Sequence, residues 1–168
     1  MKALLALAFT VAALPALADE SAASLFARCP GGPPQVDVRG QPIADDFFRR
    51  GPVLAVLWSV DCAFCQRHNQ RLHALAAEMP GAAVLGVSVD GDAAVVRRTV
   101  EKRGYGFPVV VDGSGGCALR PQLTPRRLVP MTCWLGTAPT APRCIPGEMS
   151  DDDLRELLRA QARSSRPS

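Results

Sequence analysis

The sequence contains no apolar run of the roughly 20 residues that a membrane-spanning helix requires. The stretch from Ala3 to Leu14 comes nearest and stops well short. A concentrated basic patch is also missing, because 19 Lys and Arg residues are scattered among 16 Asp and Glu for a net +3. A nucleic-acid-binding face is therefore not expected. No segment reads as disordered, and a 48% hydrophobic content over 168 residues suffices for one domain with its own core.

What the N-terminus does contain is a leader: Lys2, the short apolar run, then Ala16-Leu17-Ala18, the small-residue pattern at which signal peptides are cut. We expect residues 1–18 to be a signal peptide, cleaved after Ala18, and the mature chain to begin at Asp19 in the periplasm. No cysteine follows that cut, so neither a lipid nor a helical membrane anchor is expected on the mature protein. Loss of Lys2 lowers the net charge by one, to +2. Export to an oxidising compartment also changes the meaning of Cys29, Cys62, Cys65, Cys117, Cys133 and Cys144, which there become candidates for disulfides.

The organising stretch is Pro52 to Met79, PVLAVLWSVDCAFCQRHNQRLHALAAEM. Its apolar run, Val53 to Trp58, reads as a buried strand, and Ser59 breaks it into a short turn. Cys62 and Cys65 then open a helix. First-turn amides have no partner inside the helix and carry the positive end of its dipole, so a thiolate placed there is stabilised. Cys62 should therefore be reactive near neutral pH, where an ordinary thiol with a pKa of about 8.5 stays protonated. Cys65 shares its helix face with His68, Leu72, Leu75, Ala76 and Met79, the face that packs on a sheet. Cys62 is thus expected to be exposed and to attack first, with Cys65 shielded and resolving the mixed disulfide.

The remaining chain reads as one α/β domain over residues 36–162, with an irregular segment at 19–35 and a frayed tail at 163–168. CPGGPP (residues 29–34) cannot be helical. Val36 to Ile43 alternates about a glycine turn and is expected to form a small hairpin. Asp45 to Arg50 reads as a short helical turn. Ala83 to Val89 is a second strand, parallel to the first through a right-handed crossover. Asp92 caps a helix that Gly104 stops, and Val95, Val96, Thr99 and Val100 should face inward. Phe107 to Val111 is a third strand, and Pro121 and Pro125 limit the following connection to short helix or irregular chain. Leu128 to Leu135 is a strand holding Pro130 and the core residue Trp134. It turns through residues 136–142 into Arg143-Cys144-Ile145. Ser150 and Asp151 to Asp153 open a last helix with Leu154, Leu157, Leu158 and Ala162 inside.

With Cys62 and Cys65 as the working pair, the other four cysteines can be joined in three ways. The hairpin register sets Cys133 opposite Cys144, within reach of a cross-strand disulfide, which leaves Cys29 with Cys117.

This order resembles the thioredoxin fold, a central mixed sheet with helices on both faces and an N-terminal β-hairpin. More closely it resembles the TlpA/ResA-like family of exported thiol-disulfide oxidoreductases, from about Pro34 to Leu158. The motifs that carry the likeness are Trp58 four residues ahead of Cys62, Cys62-Ala63-Phe64-Cys65, Val87-Ser88-Val89-Asp90, Phe107 to Asp112, and Val129-Pro130. The resemblance implies that Pro130 is a cis proline beside the active-site disulfide, that the backbone of Val129 receives substrate peptide, and that no cofactor beyond the redox-active disulfide is needed. Read alone, Pro130 has a lesser alternative, a proline that opens an edge strand. The resemblance further implies protein thiol or disulfide partners, such as apocytochromes or copper-site proteins, and electrons from a membrane thiol carrier. Only 65 residues separate Cys65 from Pro130, which is short for the inserted helical domain of DsbA-like oxidants and favours a reductant.

The chain also departs from the family pattern. Ala63-Phe64 offers no polar side chain to tune the thiolate, Asp61 should raise its pKa, and Val56 and Leu57 leave the strand without the family's frequent buried acid. Trp58 is expected to pack beneath the site. His68 could shuttle protons or serve as a hydrogen-bonded core residue, and His73 is expected to be solvated. Two other functions compete with disulfide exchange. One is a Cu(I) or zinc module using Cys62, Cys65, His68 and perhaps His73, although these ligands all lie on one helix. The other is a binding domain in which the Cys62–Cys65 bond is inert.

Overall fold

In the computed structural model, the described residues are 26, 29–44, 46–136 and 142–164. The expected signal peptide and its expected cleavage site, Asp45, most of the 136–142 turn and residues 165–168 lie outside them.

Five strands form one mixed sheet in the order β3-β2-β1-β4-β5. β1 (Val53–Trp58) lies at its centre and every one of its residues is buried. β2 (Val84–Ser88) pairs with it in parallel and β4 (Met131–Leu135) antiparallel. β3 (Val109–Val111) extends the β2 side, and β5 (Arg143–Pro146) pairs antiparallel with β4. The period of two divides β1 between two cores. Val53, Ala55 and Leu57 join Phe26, Cys29, Phe48 and Leu123 on one face, whereas Leu54, Val56 and Trp58 join the long helices on the other.

Those helices are α1 (Ala63–Ala77), α2 (Ala93–Arg103) and α4 (Asp151–Ser164), and the short α3 (Arg120–Leu123) serves the opposite face. Each boundary has a chemical cause. Asp92 accepts from the amides of Ala94 and Val95 at 2.9 and 3.1 Å, and Gly104 closes α2 with φ +69°. Ser150 accepts from the Asp153 amide at 3.2 Å and donates to its carboxylate at 2.7 Å, a reciprocal cap on α4. Pro121 sits in the first turn of α3, where its missing N–H costs nothing.

Several expectations are corrected. The N-terminal hairpin forms but is short: one antiparallel bridge, Val36 with Pro42, flanked by the Asp37 amide donating to Gln41 O at 2.9 Å and the Ile43 amide donating to Gln35 O at 2.8 Å. It is tied to the rest of the domain by Arg39, which donates to the carbonyls of Tyr105 and Phe107 at 2.7 and 3.2 Å, and by Val38, whose amide donates to Val109 O at 2.8 Å. β4 begins at Met131, so Leu128 and Val129 stand outside the sheet, and β4 is an inner strand rather than an edge. β3 likewise begins only after Pro108. α4 continues through Arg163 and Ser164. The irregular N-terminal segment supplies Phe26 and Cys29 to the core, and Trp134 is only half-buried.

Candidate active site

The parallel strands β1 and β2 end together at Trp58 and Ser88, and the turn from β1 into α1 passes over them. Asp90 holds that turn. Its carboxylate accepts from Ser59 Oγ at 2.9 Å, from the Val60 amide at 2.9 Å and from Ser88 Oγ at 2.8 Å. Gln66, one turn into the helix, donates to Val60 O at 2.7 Å. Trp58 is fully buried beneath, edge-on to Tyr105 with ring centres 5.8 Å apart.

Cys62 is the N-cap of α1, with extended φ −90° and ψ 105°. Its sulfur accepts from the Cys65 amide at 3.1 Å and is bonded to the Cys65 sulfur. The donor is one of the first-turn amides that no helical carbonyl reaches. Cys62 is half-buried, whereas Cys65 has no exposed surface. From the other side, the Val129 carbonyl oxygen comes to 4.0 Å from the Cys62 sulfur, and the Val129–Pro130 peptide is cis. The structure thus brings Cys62, Cys65, Val129 and Pro130 together although Cys62 and Val129 are 67 residues apart in the chain.

Around them the surface is uneven. Ala63 is exposed, Phe64 is 59% exposed with the Arg67 guanidinium 4.7 Å over its ring, and Leu128 is also 59% exposed. Arg67 and Arg71 both pair with Glu148, at 2.8 and 2.9 Å. The Arg67 hydrogen bond is the main reason the Glu148 carboxyl is held below its ordinary pKa, with the charges of Arg67, Arg71 and His68 adding to it.

His68 is fully buried one turn after Cys65. The Met149 amide donates to its Nδ1 at 3.3 Å, so the ring proton resides on Nε2, which donates to Thr132 Oγ1 at 2.9 Å. Burial pushes its pKa down to about 4, opposed by the Glu148 charge and reinforced by Arg71. Both nitrogens are occupied by the β4 strand and the 147–149 segment, which places His68 as a tie between three elements and leaves neither nitrogen for a metal. Among the described residues no group of three His, Cys, Asp or Glu side chains is arranged to hold a metal ion, so the copper or zinc reading has no geometric basis. His73 is half-buried rather than solvated, and it accepts from the Gly106 amide at 3.0 Å.

The other cysteines are joined as Cys29–Cys117 and Cys133–Cys144, the latter directly opposite in the β4–β5 register. Sequence reasoning missed the anchoring role of Asp90, although an acid just past the end of a buried strand is a readable sign. It also missed Glu148 and Met149, for which the sequence carries no sign.

Solved structures share this architecture. The chain is 14% identical to a thiol:disulfide interchange protein of Chlorobium tepidum, with a TM-score of 0.64 over 76% of this chain and 90% of that one. It is 21% identical to the exposed lipoprotein thioredoxin of Streptococcus pneumoniae, with a TM-score of 0.62 over 75% and 96%. A secreted disulfide oxidoreductase of Mycobacterium tuberculosis matches at 19% identity and a TM-score of 0.59, over 75% and 93%. At these identities the likeness establishes a thioredoxin-like fold. No curated protein matches the sequence. A family model does match, over residues 33–123, a span that contains the β1–α1 turn and both of its cysteines, and the chain therefore belongs to the AhpC/TSA family.

Proposed function

We propose that the protein is a thiol-disulfide oxidoreductase acting on partner proteins through Cys62 and Cys65, in the reducing direction and in the periplasm. The observation that carries this reading is the asymmetry of the pair: a partly exposed sulfur at the N-cap receiving an amide hydrogen bond, and a fully buried one three residues on. In the reduced protein the same amide would hold the Cys62 thiolate. That thiolate attacks a partner disulfide, forming a mixed disulfide and releasing one partner thiol, which takes up a proton. The Cys65 thiol then gives up its proton and attacks the Cys62 sulfur. The second partner thiol leaves, the Cys62–Cys65 bond closes, and two electrons have passed to the partner. A membrane thiol carrier resets the pair. Val129 and Pro130 border the path by which the partner reaches Cys62, and apocytochromes or copper-site proteins are candidate partners. Ala63 and Phe64 shape the rim, while Trp58 and His68 support the site from below.

Export rests on the leader of residues 1–18. It is consistent with the secreted and surface-exposed descriptions of the M. tuberculosis and S. pneumoniae proteins. No helix among the described residues is long and apolar enough to cross a membrane. The test is equilibration of the protein against glutathione, with each cysteine read by alkylation. Cys62 and Cys65 should titrate together at a potential near about −270 mV, as for a reductant. A value near about −120 mV would reverse the direction. A pair that does not exchange would refute the reading.

A further inference from the structure

Taking the exchange reading as its basis, we infer that the preferred partner segment is extended and acidic, with carboxylates beside its reacting cysteine and an apolar side chain among them. The residues that select it are Arg126 and Arg127 together with Leu128 and Phe64. Between α3 and Pro130 the chain runs over the edge of the site without joining the sheet. Among the described residues, the backbone N–H and C=O groups of Arg127, Leu128 and Val129 make no backbone hydrogen bond, and the Cys62 sulfur lies 4.0 Å from the Val129 carbonyl oxygen. A row of free donors and acceptors beside a reactive sulfur suits an extended chain that pairs with it as a strand would.

The side chains add the selectivity. Arg126 and Arg127 are exposed, and neither makes an ion pair or side-chain hydrogen bond with a described residue. The other cation at the rim, Arg67, is already neutralised by Glu148. Asp61, which directly precedes Cys62 in the chain, is exposed and likewise without a charged partner among the described residues. The unpaired charge is therefore positive on the segment that leads to Val129, whose carbonyl oxygen lies 4.0 Å from the Cys62 sulfur, and negative on the residue that precedes Cys62. A partner should carry its carboxylates toward the first and none toward the second. Leu128, next to Val129, and Phe64, two residues past Cys62, are each 59% exposed, large apolar surfaces that fit an apolar side chain next to the partner's cysteine.

The test uses the oxidised protein and three peptides with the same Cys-Xaa-Xaa-Cys dithiol, flanked by Glu, by Ser or by Arg. Each peptide dithiol would become a disulfide as the Cys62–Cys65 bond is reduced. Each rate is divided by that peptide's own rate with a small neutral disulfide, which removes differences in thiol ionisation. The Glu-flanked peptide should be favoured over the Arg-flanked one by about tenfold at low salt, with the ratio shrinking as salt is added. R126E/R127E should invert the order, and R126K/R127K should keep it. Equal normalised rates for the three peptides, a preference for the Arg-flanked one, or an order unchanged by R126E/R127E would overturn the acidic-partner inference while leaving exchange intact. A bond unreactive toward the peptides and toward a small dithiol alike would instead overturn the exchange reading, and this inference with it.

Discussion

His68 shows how much a single residue's meaning depends on what surrounds it. One turn beyond Cys65 it could have been a proton carrier, yet its two nitrogens are occupied by partners 64 and 81 residues away in the chain. A neutral buried imidazole makes stability depend on pH in a defined window. Its folded pKa of about 4 lies below the ordinary 6.5, so as pH falls the unfolded chain takes the proton first. Stability is complete above about 6.5, declines toward about 4, and changes no further from this group below that. The ceiling on the loss is on the order of 3 kcal/mol. Glu148, whose carboxyl is held below its ordinary value of 4.5, begins to lose its contribution only as pH falls below that value, so most of the His68 window lies above it. H68Q can still hydrogen-bond and cannot titrate. Urea unfolding from pH 7 to 4 should show a markedly shallower decline for H68Q than for the parent. Equal slopes would mean that the ring is charged or solvated. The cysteine pair was legible from spacing because a helix start and its face follow from local rules. The partners of His68 were not, because no local rule says which distant amide meets a ring.

Among the elements, the apolar runs and caps were legible wherever burial and capping agree, as at β1, Asp92 and Gly104. Strand ends were overrun where a proline removed a donor, as at Pro108 and Pro130. Glycine within β2 is a further case that pattern alone left unexplained. A Cβ on Gly86 would lie 2.9 Å from Val109 Cγ2 and 3.1 Å from Phe107 Cε2, so this position lets β3 and its preceding loop close onto β2. Its φ is not the reason, since Gly86 is in a regular strand with no positive φ. G86A should cost about 1–3 kcal/mol by overpacking. G31A, where a Cβ meets nothing within 4 Å, serves as the control and should change stability little. A G86A protein with an unchanged urea midpoint would show that the β2–β3 seam yields freely.

For the molecule as a whole, two disulfides outside the site tie different distances together. Cys29–Cys117 spans 88 residues and fixes the N-terminal segment, with Phe26, to the loop that follows β3. Cys133–Cys144 spans 11 and joins two strands that are already hydrogen-bonded. The two closed loops do not overlap, so their effects on the unfolded chain are independent. Chain-entropy reasoning assigns about 4.6 kcal/mol to the longer and about 2.8 kcal/mol to the shorter. C29A/C117A should accordingly lower the unfolding free energy by about 2 kcal/mol more than C133A/C144A, measured in urea without reductant. Burial works against that order, because Cys133 has no exposed surface and its truncation leaves a cavity beside β1. If C133A/C144A proves the more damaging pair, packing against the central strand outweighs chain entropy. The β4–β5 hairpin would then be the part of the molecule on which the position of Pro130, and with it the approach to Cys62, most depends.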